Sequence, residues 1–286
     1  MNKMNCNKDS ASDLVRKVDA MSNAIGGIDI SDDDSIDEDD ELFQEPPQKE
    51  DCEICFLPMP YSPRLCGVIN QIYHPCCGKV LCTGCIKQSI DEMHKGNLKQ
   101  WCPFCRQPLV PQSPEKGYIK RIKKRMKKND AEAFYTLGCA YRVGNLGLST
   151  NLNKALELLE RAAELGSIRA HYDLGTFMFH GREGAEKDKK KSIQHYKLAA
   201  IGGHEMARHN LGLIEMSEGN IKIGVKHFMI SARSGCEKAL EGVGRGYKAG
   251  FISKDQYAST LRAYQQTTNQ MKSKEREEAR VHYASR

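Results

Sequence analysis

The stretch Lys191-Ser-Ile-Gln-His-Tyr-Lys-Leu-Ala-Ala200, closed by Gly203, repeats a pattern met 37 residues earlier, where Ala162-Ala163 is followed by Gly166. Reading outward, Ala133, Ala170 and Ala207 stand 37 residues apart, as do Leu137-Gly138, Leu174-Gly175 and Leu211-Gly212. A fourth copy follows at a spacing of 32, with Val243-Gly244 matching Leu211-Gly212 and Gly235 matching Gly203. A period in the thirties containing two helical patterns per unit predicts an all-α helical repeat solenoid over residues 129–265. The first helix of each unit has the form Ala-x-x-x-Leu-Gly, and the second ends near Ala-Ala-x-x-Gly, where the glycine suits a left-handed cap. Glycine inside a helix costs about 0.5–1 kcal/mol against alanine, so its return at one register in four units predicts close approach of a neighbouring helix.

The Leu-Gly pair, the loop His180-Gly181-Arg182-Glu183-Gly184 and the Lys191–Ala200 run together resemble the Sel-one-like repeats, relatives of the tetratricopeptide class. That resemblance implies a stacked superhelix that binds substrate or adaptor proteins. His171, His195, His204, His209 and His227 share no ligand spacing and are expected to be surface or packing residues, with Cys139 and Cys236 as ordinary thiols.

The cysteines point elsewhere. Of twelve in 286 residues, nine fall between Cys52 and Cys105. They include Cys52-x-x-Cys55, Cys76-Cys77, Cys82-x-x-Cys85 and Cys102-x-x-Cys105. Two thiolates separated by two residues can turn onto one tetrahedral ion at about 2.3 Å each, and a structural zinc site closes with four ligands, so eight cysteines predict two zinc ions. The loops between them are too short to build a core, so metal supplies the folding free energy. His74 stands three residues before Cys77 and competes with Cys76 for the remaining place; thiolate softness favours Cys76. Cys66 has no partner by spacing and reads as a free thiol.

This spacing resembles the RING finger, whose first and third ligand pairs hold one ion while the second and fourth hold the other. By position, Cys52, Cys55, Cys82 and Cys85 would form one site, and Cys76, Cys77, Cys102 and Cys105 the second, with Lys79 standing where many such fingers have a histidine. RING-type ubiquitin ligases dock a ubiquitin-conjugating enzyme on an apolar groove and hold the ubiquitin thioester with a basic side chain after the last ligand. Ile54, Ile86, Pro103 and Arg106 match those roles, while the usual aromatic residue after the sixth ligand is replaced by Ser89 and Ile90. The resemblance implies a transferase that forms no covalent intermediate, with no catalytic side chain of its own. The alternative is a non-catalytic zinc-binding scaffold.

Charge divides the rest of the chain into blocks. Residues 1–50 carry 14 acidic and 5 basic groups, and eleven of the 22 residues from Asp29 to Glu50 are acidic, which predicts a disordered acidic tail. After the finger (51–111) comes 112–128, with eight Lys or Arg around Ile119, Ile122 and Met126 at helical spacing. A basic amphipathic linker helix is expected there, its apolar seam docked on the next domain and its charged face wet, rather than a nucleic-acid site. Residues 266–286 read as a polar helix or tail. With no run of about 18 apolar residues and no apolar leader, a membrane partner is excluded and a cytoplasmic or nuclear location expected.

Overall fold

The computed structural model describes residues 41–59, 64–65, 68–109, 115–182 and 184–284. The disorder expected for 1–40 and the free thiol expected at Cys66 lie outside the described residues. Among the described residues two compact units emerge, one formed by residues 47–204 with 266–284, the other by residues 41–46 with 205–265.

The first unit begins with two small antiparallel pairs, β1 (Arg64–Leu65) with β2 (Val68–Ile69) and β3 (Gln71–His74) with β4 (Lys79–Cys82), the latter in register Tyr73 to Val80. Helix α1 (Thr83–Lys95) follows directly, capped by the sulfur of Cys82, which accepts from the Cys85 amide. The basic segment forms α2 (Glu115–Met126). Two helix pairs come next: α3 (Ala131–Val143) with α4 (Leu152–Glu164), and α5 (Ile168–His180) with α6 (Lys189–Ile201). Their N-caps repeat with the sequence period. Asp130 and Ser167 accept from Ala133 and Ala170, and Asn151 and Asp188 accept from Lys154 and Lys191, satisfying amides that no helical carbonyl reaches.

Gly166, Gly203 and Gly235 take φ of 89°, 91° and 94°, the left-handed conformation expected after the second helix of each unit. Close approach explains the in-helix glycines in three units. A Cβ at Gly138 would lie 3.1 Å from Leu159, at Gly175 2.8 Å from the Tyr196 ring, and at Gly212 2.7 Å from the Phe228 ring. The fourth unit departs from that expectation, because Gly244 faces open space and the crowding moves to its neighbour Gly242, against Phe228 at 2.6 Å.

The finger and the repeats share a core instead of standing as separable domains. Ile122 of α2 is fully buried among Tyr73 of β3, Ala133 and Leu137 of α3, and Leu158 of α4. Tyr73 donates its hydroxyl to Asp130, the α3 cap, at 2.8 Å, and Tyr118 of α2 donates to the Tyr73 carbonyl at 3.1 Å. The basic helix is thus a structural wedge whose apolar seam serves both neighbours. At the other end of the chain, α11 (Lys274–Ala284) returns to pack along α1, so the C-terminal segment is an ordered part of this unit.

The second unit contains α7 (Glu205–Ser217), α8 (Ile221–Arg233), α9 (Glu237–Lys248) and α10 (Lys254–Gln270) as far as Gln265. Leu213, Met216, Val225, Phe228, Met229 and Val243 form its core. Residues 41–46 belong here: Glu41–Phe43 form a 3-10 turn against α8, so the expected disorder does not extend to these residues. Three of the five histidines singled out in the repeats are buried. His209 and His227 are buried in this unit, and His204 is buried and stacked on Tyr172 in the other. Among the described residues no helix is long and apolar enough to cross a membrane.

Candidate metal centre

Two loops of one design carry the outer ligand pairs. In Asp51–Pro58 the Cys52 amide donates to the Leu57 carbonyl at 3.0 Å and Phe56 to the Cys52 carbonyl at 2.8 Å; in Trp101–Pro108 the Cys102 amide donates to Gln107 at 2.8 Å and Arg106 to Cys102 at 2.9 Å. Each loop is closed by a bridge between its end residues, and the residue after the second cysteine, Phe56 or Arg106, takes a left-handed φ of 53° or 57°. That turn folds both sulfurs of a pair to one side. The octets Asp-Cys-x-x-Cys-x-x-Pro and Trp-Cys-x-x-Cys-x-x-Pro show the same design in the sequence itself.

The four pairs combine in an interleaved manner. Cys52 and Cys55 meet Cys82 and Cys85, while Cys76 and Cys77 meet Cys102 and Cys105, the sulfurs of each group lying within 4.8 Å of one another. Cys52 lies 4.0 Å from Cys85, Cys55 3.8 Å from Cys82, and Cys77 3.9 Å from Cys102. Four ligands at 2.3 Å from a tetrahedral ion sit about 3.8 Å apart, so the spacing fits zinc. The second group contains Cys76 and not His74, whose ring instead places Nδ1 3.7 Å from the Cys102 sulfur.

Electrostatics point the same way. Burial pushes the Cys77 thiol up to about 11 and drives Cys76 higher still. In the first group, hydrogen bonds from Cys82 and Cys85 hold Cys52 far below the ordinary thiol value, while the bond to Cys52 drives Cys85 far above it. Four sulfurs this close cannot all ionise beside one another without a cation, and a divalent ion removes that penalty. The Cys82 and Cys85 amides add donors, each 3.5 Å from a first-site sulfur, at the positive end of α1.

One feature of the first site was not legible in the pattern. Arg276 of α11 donates from Nη2 to the Cys55 sulfur at 3.5 Å and to the Leu57 carbonyl at 2.9 Å, and from Nη1 to the Pro58 and Met271 carbonyls at 2.7 and 2.8 Å. Four thiolates around one dication leave a net charge of −2, which a guanidinium partly offsets. Gly84 makes room for this contact: a Cβ there would come within 2.8 Å of the Arg276 amide nitrogen.

The four residues expected to meet a conjugating enzyme do not share one environment. Pro103 is half-buried and Arg106 exposed, Ile54 is half-buried, and Ile86 is only 4% exposed because it points into the core formed by Cys52, Leu81 and Cys85. Ile86 is therefore corrected from a contact residue to a core residue. Phe56, 72% exposed, and Phe104, 41% exposed, are the large apolar side chains that these loops present. Lys79 pairs with Glu53 at 2.5 Å and lies 5.7 Å from the Phe104 ring centre, so it links the two ligand loops rather than serving as a ligand.

Comparison with known proteins places the helical part. The Sel1 repeat family matches residues 131–167 and 168–204. Among solved structures, the chain is similar to a protective antigen of uropathogenic Escherichia coli displaying an SLR fold, with 28% identity over 54% of this chain and 33% of that one and a TM-score of 0.45. It is also similar to a Sel1 repeat protein from Oxalobacter formigenes, with 25% identity over 53% of this chain and 63% of that one and a TM-score of 0.45. The chain thus covers a third of the first protein and less than two thirds of the second. No curated protein matches.

Proposed function

We propose that the chain is a RING-type ubiquitin ligase in which the zinc finger recruits a ubiquitin-conjugating enzyme and the helical repeats hold a substrate or adaptor protein. The observation that carries this reading is the interleaved arrangement of two four-cysteine groups, each built from one outer and one inner pair. Zinc supplies rigidity to the loops and takes no part in group transfer. Ile54, Phe56, Pro103 and Phe104 give the loops an apolar surface, and Arg106 offers a planar fork of donors able to bridge two protein surfaces. Catalysis would consist of orienting a thioester carried by another protein toward a substrate lysine.

The test is autoubiquitination by the full chain with a panel of conjugating enzymes. Wild type is expected to build chains with at least one of them, and Arg106→Ala to reduce the yield severalfold while both ions stay bound. A wild-type protein with full zinc content and no activity across the panel would leave the second reading, a non-catalytic scaffold. The burial of Ile86 favours that second reading, since it removes one apolar side chain from the surface.

A further inference from the structure

In the second unit a short acidic segment is held by side chains of two consecutive helices. From the 3-10 turn, Leu42 is buried, and its carbonyl accepts a hydrogen bond from Nη1 of Arg208 on α7. Phe43 lies 4.9 Å from the ring of His227 and 4.6 Å from Nζ of Lys226, both on α8. Glu45 accepts from Nη1 of Arg233, at the end of α8, at 2.7 Å. Four side chains on two consecutive helices thus read a backbone carbonyl, an aromatic ring and a carboxylate within four residues of the segment.

Arg208 gives the site its chemistry. Only 2% exposed, it is the largest fully buried side chain among the described residues. Burial lowers its pKa to about 10, and the nearby Glu45 carboxylate opposes that shift. A guanidinium inside a helical repeat is costly unless acceptors meet it, and one of those acceptors comes from 166 residues away in sequence. The segment has the composition of a ligand rather than of a core element. Between Asp37 and Glu50 its apolar side chains are Leu42, Phe43 and two prolines among seven carboxylates, too few to fold alone and enough to anchor an extended peptide.

We propose that the face of α7 and α8 around Arg208 is a binding site for an acidic linear segment of a partner protein, carrying adjacent Leu and Phe with Glu two residues on, and that residues 41–46 occupy it in cis. A partner segment competes with an occupant tethered to the same chain, so the site opens only to ligands that are locally concentrated or better matched. The site is independent of the ligase reading, and its test contains no ubiquitin component.

The probe is a fluorescein-labelled peptide of residues 38–48, titrated by anisotropy into the full chain. Wild type is expected to bind weakly, and the full chain carrying Leu42→Ser with Phe43→Ala at least tenfold more tightly, because its own segment no longer competes. Adding Arg208→Met to that variant should abolish binding. Should circular dichroism show that Arg208→Met does not fold, Lys226→Ala with Arg233→Ala replaces it, with a loss of tenfold or more expected. Equal binding by wild type and the unblocked variant would overturn the proposal. So would equal binding of a scrambled peptide of the same charge, or undiminished binding after the receptor substitutions.

Discussion

Replacing Arg276 by Met tests whether the C-terminal helix is part of the finger. The side chain makes four donor contacts, to three carbonyls and to the Cys55 sulfur, and methionine preserves most of the apolar stem while removing all four. Hydrogen bonds from charged groups contribute about 1.5–3 kcal/mol each, but Arg276 is half-buried and water reaches some of the vacated carbonyls, so the set is worth about 2–4 kcal/mol. Among the α11 residues whose side chains are described, Ala279 alone is fully buried, so Arg276 is a principal anchor of the helix. At about 1.4 kcal/mol per factor of ten, amide exchange in residues 274–284 should accelerate about 30- to 1,000-fold. One of the two zinc ions should also pass to a competing chelator about tenfold faster, as loss of an outer-shell donor generally causes. Arg276→Lys, which keeps the charge but not the fork, should fall between. Exchange and zinc release both at wild-type rates would refute the coupling of α11 to the first site.

Gly84→Ala should release α11 by a different route, since the added methyl meets the Arg276 backbone, and faster exchange of 274–284 with an intact α1 would report it. Gly175→Ala should destabilise by about 1–3 kcal/mol through collision with Tyr196, whereas Gly244→Ala, facing open space, should be neutral or stabilise by up to about 1 kcal/mol; urea titrations separate the two. Burial lowers the His209 pKa to about 4 from 6.5. The unfolded chain therefore takes up the proton first, and up to about 3 kcal/mol of stability present above pH 6.5 should be lost as pH falls toward 4, a dependence that His209→Phe should flatten in acid-unfolding curves. Stripping the metal should destabilise the first repeat along with the finger, because Tyr73 and Ile122 join its core, while amide protection in α7 to α9 should persist.

The repeats were legible because each unit restates the same caps and close contacts at a fixed period, so Asp130 and Ser167 or Gly138 and Gly175 identify one another. The two groups of four cysteines were legible for a similar reason, since chelation demands short, recognisable spacing. Contacts between sequence-distant segments were not. Arg276 looks like any surface arginine in a polar helix, and nothing near it in the chain announces a sulfur 221 residues away. Leu42 and Phe43 are swamped by the acidic run around them, so composition reads as disorder where two apolar anchors dock. Ile86 read as a groove residue from its place after a ligand, yet the pitch of α1 turns it toward Leu81 and Cys85. Gly244 fits the repeat pattern, but the terminal unit packs through Gly242 instead.

The pairing of the eight cysteines can be read directly by native mass spectrometry of paired serine variants of the full chain. Wild type should carry two zinc ions. Cys52→Ser with Cys85→Ser should lose one, because both residues belong to the first group, whereas Cys52→Ser with Cys77→Ser should lose both; His74→Ala should keep two and Cys76→Ser one. A single ion in wild type, or loss of both ions on removing Cys52 and Cys85 alone, would contradict the interleaved two-site arrangement on which the finger is built.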